Sequence, residues 1–207
     1  FLCYYKYVIS MNIGIDLDDT ITDIQDDMLK LAIKYDNTLR GNGIVNKDKL
    51  FIAEKFDWSK EERDYFFKNI RLKVVLKAKI RENVREVLNI LKKRGYKIII
   101  ITARSFKYYK DPYKLTYEFL KSNSIPFDKL VVNSSNKEFD CRINNIKYFI
   151  DDNLDNCLNV SKINIKVFFL DIGLYKDVSY KNIIKINNIK EVLEYIKWGI
   201  YATLFLC

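Results

Sequence analysis

The sequence predicts a doubly wound α/β fold: a parallel, five-stranded sheet with helices on both faces and a helical cap inserted near its start. Three observations predict it. Short apolar runs alternate with amphipathic helical stretches, the rhythm of βαβ units. Ile98–Ile101 is an unbroken run of four isoleucines, as expected of a strand covered on both faces. Residues 22–77 break the alternation, carrying helical patterns without a convincing strand.

Taken in order, Asn12–Ile15 is a short apolar run that stops at Asp16-Leu17-Asp18-Asp19, a buried strand ending in carboxylates. Ile24, Met28, Leu31 and Ala32 stand at helical spacing, and Gly41-Asn42-Gly43 then breaks the chain. Ser59-Lys60-Glu61-Glu62 has the pattern of a capping box, so a helix starts at Ser59. Val84, Val87, Leu88 and Leu91 form a core-facing stripe, and Gly95 ends that helix. A strand follows at 97–102. Asp111-Pro112 opens a helix running to about Ser122, with a cap and a proline at its first position. Strands are then expected at 130–133, 148–150 and 165–170. Helices are expected at 137–145, 153–161 and 189–197. The core therefore comprises residues 11–21 and 78–197, the cap 22–77, and residues 1–10 and 198–207 are terminal extensions.

Composition excludes several chemistries. The 207 residues include no histidine. That removes Ser-His-Asp triads, Cys-His pairs, His-ligated metals and phosphohistidine, and leaves acid–base work to carboxylates, Lys, Tyr or Cys. No Gly-Lys-Ser or Gly-Lys-Thr is present, so there is no P-loop. The formal charge of +9 is carried mostly by lysines spread along the chain rather than gathered in a stripe, which argues against nucleic acid as the partner. Cys3, Cys141, Cys157 and Cys207 have no CxxC spacing, and free thiols in a reducing cytoplasm are expected. Residues 1–10 lack the basic start of a signal peptide, and Met11 reads as a start. The apolar tail 198–207 is far shorter than the ~20 residues of a membrane span, and no membrane partner is expected.

The strand ends carry the chemistry. In an open α/β sheet ligands bind beyond the carboxyl ends of the strands. Asp16 and Asp18 lie there after the first strand, Thr102 after the second, and Asp151 and Asp152 after the fourth, with Lys137 just beyond the third. Clustered carboxylates need a cation, and an all-oxygen set without His or thiolate selects a hard one, Mg²⁺ first. Thr102, Lys137 and the backbone N–H groups after the first strand then leave room for a phosphoryl group. In extended backbone Asp16 and Asp18 point the same way, so one can attack phosphorus while the other handles the proton. A calcium loop starting at Asp16 is excluded by Ile21 and Asp27 at its sixth and twelfth positions.

Asp16-Leu17-Asp18-Asp19-Thr20 after a strand resembles the first motif of the haloacid dehalogenase superfamily of phosphatases. Thr102 resembles its second, Lys137 its third, and Tyr148-Phe149-Ile150-Asp151-Asp152 its fourth, in the family's order over residues 12–170. Within it, Gly14–Thr20 and Ile101-Thr102-Ala103-Arg104-Ser105 look most like the cytosolic 5'(3')-deoxyribonucleotidases and their bacterial relatives. The resemblance implies Mg²⁺-dependent hydrolysis of a nucleoside monophosphate. It makes Asp16 the nucleophile and a metal ligand, and Asp18 the acid–base group, with its backbone carbonyl toward the metal. Thr102 and Lys137 hold phosphate, Asp151 and Asp152 complete the metal site, and Asp19 is not catalytic. Arg104 stands open between a phosphate contact and a surface ion pair. Phe56, Trp58, Tyr65 and Phe66 stand open between cap core and a surface that stacks a base. The alternatives are another small substrate, such as a sugar phosphate, or a non-catalytic nucleic-acid binder; a homodimer is also open.

Overall fold

A computed structural model describes residues 5–8, 11–175, 180–197 and 201–204, the first and last of these segments by their backbone pairing alone. Cys3, Cys207 and Trp198, and with them most of the apolar tail, lie outside the described residues.

The sheet has six strands rather than the expected five: β2 (Asn12–Ile15), β5 (Lys97–Ile101), β6 (Lys129–Val131), β7 (Ile146–Asp151), β8 (Lys166–Leu170) and β9 (Ile183–Ile186). All neighbours are parallel, in the order β6-β5-β2-β7-β8-β9. The sixth strand escapes a sequence reading because it has four residues, follows Lys181-Asn182 and is interrupted by Lys185, as an edge strand tolerates. The order runs outward in both directions from β2, so the crevice where ligands bind opens beside that strand.

Pleating divides the isoleucine run between the two faces. Ile98 and Ile100 join one buried cluster with Ile13, Ile15 and Leu88, whereas Ile99 and Ile101 join the other with Phe149, Cys141 and Cys157. Both cysteines are free and buried. Gly14 is required for a steric reason: a Cβ there would stand 3.1 Å from the Phe149 ring and 3.2 Å from Ile101 Cδ1.

The covering helices are α4 (Val84–Lys93), α5 (Pro112–Ser122), α6 (Lys137–Ile143), α7 (Leu154–Ser161) and α8 (Val192–Tyr195). In α4 all four expected stripe residues are buried. Gly95 ends it with φ +89, and Tyr96 N–H reaches back to the Leu91 carbonyl at 3.1 Å. Asp111, Asn136 and Asn153 cap α5, α6 and α7 through their side chains. The last expected helix, 189–197, is shorter: a 3₁₀ turn at Ile189–Glu191 leads into the four residues of α8.

Between β2 and α4 the chain leaves the sheet through β3 (Thr22–Asp23) and returns through β4 (Lys79–Ile80), which pair antiparallel. This short ribbon is absent from the sequence reading, because two residues a side carry no periodicity. Beyond it lie α1 (Gln25–Leu39), α2 (Lys60–Tyr65) and α3 (Leu72–Leu76), with a π turn at Phe66–Ile70 between the last two. Ser59 and Glu62 make the expected capping box. Elsewhere β1 (Tyr5–Val8) and β10 (Tyr201–Leu204) pair antiparallel with each other, apart from the six-stranded sheet. No helix among the described residues is long and apolar enough to cross a membrane.

The aromatic cluster of the cap is core. Trp58 is 1% exposed, stacked on Phe56 at 4.6 Å and packed on Tyr35 and Phe66 at 4.9 and 5.0 Å. Its indole N–H donates to Asp36 Oδ1 at 2.8 Å, and Asp36 Oδ2 accepts from Gly43 N–H. Phe56 and Phe66 are equally sequestered; Tyr65 alone of the four is exposed, at 55%. Base stacking by Trp58, Phe56 or Phe66 is therefore excluded. These rings pack around one satisfied buried acid and continue the apolar cluster of the sheet face that holds Ile13, Ile15 and Ile98.

Candidate active site

The site starts from the register of β2 with β7. Ile15 pairs with Ile150, and Asp16 N–H continues the ladder to the Ile150 carbonyl at 3.0 Å. Two acidic strand ends are thereby laid side by side. Asp16, Asp151 and Asp152 each present a carboxylate oxygen within 4.8 Å of the others. Asp151 is fixed by Asn153 N–H at 2.8 Å and Asn156 Nδ2 at 3.0 Å, both from the start of α7. Asp152 is fixed by Thr20, whose hydroxyl donates to Oδ1 at 2.8 Å and accepts the Asp152 N–H at 3.0 Å.

Burial pushes the Asp151 carboxyl up to about 7, and burial beside Asp151 and Asp16 pushes Asp152 well above the carboxylate range. Three buried acids raised by burial and mutual repulsion fit a hard divalent cation: they supply oxygen ligands only, already oriented by second partners.

Lys137, at the first turn of α6, is the lysine that reaches this cluster. Its ammonium lies 2.5 Å from Asp16 Oδ1 and 3.9 Å from Asp151 Oδ2, and it also donates to the Ile101 carbonyl. Burial opposes its charge, but Asp16 and Asp151 outweigh that and hold it above the usual lysine range. Lys129 instead donates to Asn144 Oδ1 at 2.6 Å, and Lys147 is exposed.

Asp18 does not share this environment. After Leu17 the chain turns, with Asp19 in the left-handed region at φ +69. The Asp18 carboxylate stands outside the group of three acids. Arg104 grips it with two bonds, Nη2 to Oδ1 at 2.6 Å and Nε to Oδ2 at 3.1 Å, and Arg71 of the cap adds a third, to Oδ2 at 3.2 Å. Burial alone would raise this carboxyl, but Arg104 first and Arg71 second hold it below its ordinary value. The fourth acid expected around the metal thus directs its side chain elsewhere.

Arg104 makes an ion pair, but a buried one at the site rather than one on the surface. It is 2% exposed, and its guanidinium lies 5.3 Å from the Phe119 ring centroid. Arg104 Nη1 is buried without a hydrogen-bond partner among the described residues, as is the Tyr109 hydroxyl. Thr102 is buried between the two machineries. Its N–H donates to Val131, its carbonyl accepts from Ser134 N–H, and its hydroxyl accepts from Arg104 N–H at 3.3 Å. Asp19 closes the turn: its carboxylate accepts from Ile24 N–H and Gln25 Nε2, its carbonyl from Arg81 Nε, and burial pushes it up to about 6.

The sequence reading missed Arg71. Nothing in Phe66-Phe67-Lys68-Asn69-Ile70-Arg71 marks one basic residue among many, because a π turn and a contact 53 residues away give it its place.

No family profile matches the chain. A nucleotidase of Clostridium acetobutylicum is 32% identical over 198 residues, covering 94% of this chain and 95% of that protein. Among solved structures, a haloacid dehalogenase-like hydrolase from Streptococcus pneumoniae superposes with a TM-score of 0.66 at 16% identity, covering 90% of this chain and 98% of its own. The hydrolase YfnB of Bacillus subtilis, bound to magnesium, does so with a TM-score of 0.59 at 14% identity, covering 90% and 98%. The structural likenesses show a haloacid dehalogenase-like fold, and the near full-length relative shows the family: this chain belongs to the family of that nucleotidase.

Proposed function

We propose that the protein is a Mg²⁺-dependent phosphomonoesterase that hydrolyses nucleoside monophosphates through an aspartyl-phosphate on Asp16. The observation that carries the reading is the division of labour between the two aspartates. Asp16 sits with Asp151, Asp152 and Lys137, where a cation and a phosphoryl group belong. Asp18, nearby, is held apart by arginines.

Asp16, Asp151 and Asp152 would hold the Mg²⁺, together, by the resemblance, with the Asp18 backbone carbonyl. A cation bound there would supply charge neutralisation for the transferring phosphoryl group. Lys137 and the Thr102 hydroxyl hold the phosphoryl oxygens, and Lys137 also keeps Asp16 oriented. An Asp16 oxygen attacks phosphorus as the ester oxygen departs with a proton from Asp18. Water then attacks the same phosphorus, gives its proton to Asp18, and releases inorganic phosphate and free Asp16.

The nucleotide rests on the relative's name and on the resemblance of residues 14–20 and 101–105. One observation favours the alternative of a sugar phosphate: the cap buries the rings a base would stack on. A phosphate-release screen of nucleoside monophosphates against sugar phosphates, with Mg²⁺, Ca²⁺ or EDTA, separates them. Turnover of nucleotides with Mg²⁺, poor turnover with Ca²⁺ and none with EDTA are expected. Preference for a sugar phosphate overturns the substrate, and full activity in EDTA overturns the mechanism.

A further inference from the structure

The cap touches the acid–base group, and it does so through an unusual turn. Between α2 and α3 the helix widens: Arg71 N–H bonds to the Phe66 carbonyl, five residues back, at 2.9 Å. Such single π turns interrupt the regular ladder and are frequent at functional sites. Each residue of an α-helix turns the chain by about 100°, so the wide turn rotates Arg71 away from where a continuous helix would carry it. Its guanidinium then lies 3.2 Å from Asp18 Oδ2 and 5.6 Å from the Phe67 ring centroid.

We propose that Arg71 is a positioning residue for Asp18, aimed by the π turn of residues 66–70 so that the acid–base group is held from the cap as well as from the loop after β5. Asp18 is gripped from two sides that belong to different parts of the molecule. Arg104 belongs to the loop after β5 and holds one edge of the carboxylate; Arg71 belongs to the cap and ties Oδ2 from above. Neighbouring contacts close along the same seam. Asp64 pairs with Lys107 at 2.8 Å and accepts from the Tyr108 hydroxyl at 3.4 Å, and Phe67 packs on Tyr108 at 5.3 Å. The cap is also packed on the sheet, with Phe56, Trp58 and Phe66 in the same apolar cluster as Ile13, Ile15 and Ile98. Without Arg71, Asp18 keeps one of its two guanidiniums.

The inference rests on the phosphatase reading above, and kinetics of the full chain on its best phosphate ester test it. Arg71→Ala is expected to lower kcat by about tenfold with KM changed by less than about threefold. That is below the ~10²-fold attached to a 1 Å misplacement, because Arg104 still holds the other edge. Arg71→Lys recovers part of the loss. Deleting the exposed Lys68 restores the α-helical period, leaves Arg71 in the chain and turns it away; it is expected to reproduce the Arg71→Ala defect. In that background Arg71→Ala costs nothing further. Wild-type kcat in Arg71→Ala, a loss confined to KM, or a further drop in the Lys68-deleted protein overturns the proposal. If the deletion unfolds the chain, the Arg71→Ala and Arg71→Lys pair decides alone. A wild type without phosphatase activity overturns the phosphatase reading, and this proposal with it.

Discussion

The sheet edge and the cap bury acids by opposite rules. In the cap, Asp36 is fully buried beside Trp58, and its two oxygens accept from an indole and a backbone N–H. At the sheet edge, Asp16, Asp151 and Asp152 are buried against one another, with Lys137 as the nearest counter-charge. The first arrangement is a satisfied acid in an aromatic core and serves stability. The second keeps like charges in a low-dielectric place, and that is sensible only if a ligand completes it. The contrast separates structural from chemical residues better than burial does, since both groups are buried.

The largest effect that tests the contrast is at Asp16, the proposed nucleophile. Asp16→Asn is expected to lower kcat by more than about 10⁴-fold with the far-ultraviolet circular dichroism unchanged, because the proposed covalent intermediate forms on this carboxylate. Retention of more than a small fraction of wild-type kcat would remove Asp16 from the chemistry and return the acid cluster to a structural role.

Lys137→Ala should damage both activity and folding. Breaking a buried ion pair from one side costs about 3–5 kcal/mol, because the partner charges remain. Lys129→Ala and Lys147→Ala serve as comparisons, in the same assays and denaturant titrations. Equal, mild effects at all three would mean that the close approach of Lys137 to Asp16 is not what organises the site.

Trp58→Ala probes the other side of the comparison. Removing a fully buried tryptophan typically costs ~3–5 kcal/mol. The melting temperature should fall, and activity on a nucleotide and on a small aryl phosphate should fall together. A loss confined to the nucleotide, with stability unchanged, would show that the ring reads a base after all.

The smallest expected effect comes from the cation itself. The raised carboxyls of Asp151 and Asp152 make the metal-free fold bind protons more readily than the unfolded chain does. Its stability therefore falls as pH rises from the unfolded carboxyl value through about 7, the folded value of Asp151, and is lowest above that. Mg²⁺ at about 100 times its Kd should raise the melting temperature by roughly 5–10 °C at pH 8. At pH 5, where protons already occupy the acids, the gain should be clearly smaller. Thermal melts at both pH values check this, and an equal gain at both would count against a cation among these three acids.

The sequence by itself determined the alternating sheet, the place of the acids at strand ends, and the choice of Lys137 over its neighbours. Each of these is a matter of local order: apolar runs must be strands, the residues after them must lie at one edge, and a lysine opening a helix next to that edge is within reach. The ninth strand and the β3–β4 ribbon were illegible, because a four-residue edge strand interrupted by Lys185 and a two-residue pairing leave no periodic trace. Tertiary structure alone decided the partners of individual side chains. Asp16 and Asp18 are two residues apart, yet a turn at Asp19 sends one carboxylate to Lys137 and the other to Arg104 and Arg71. It likewise decided that Trp58, just before the Ser59 cap of α2, faces inward, since sequence order does not show what a side chain outside a helix packs against. The physical reason is range: hydrophobic period and capping are set by neighbours within a turn or two, whereas an ion pair across 53 or 86 residues exists only once the chain has closed.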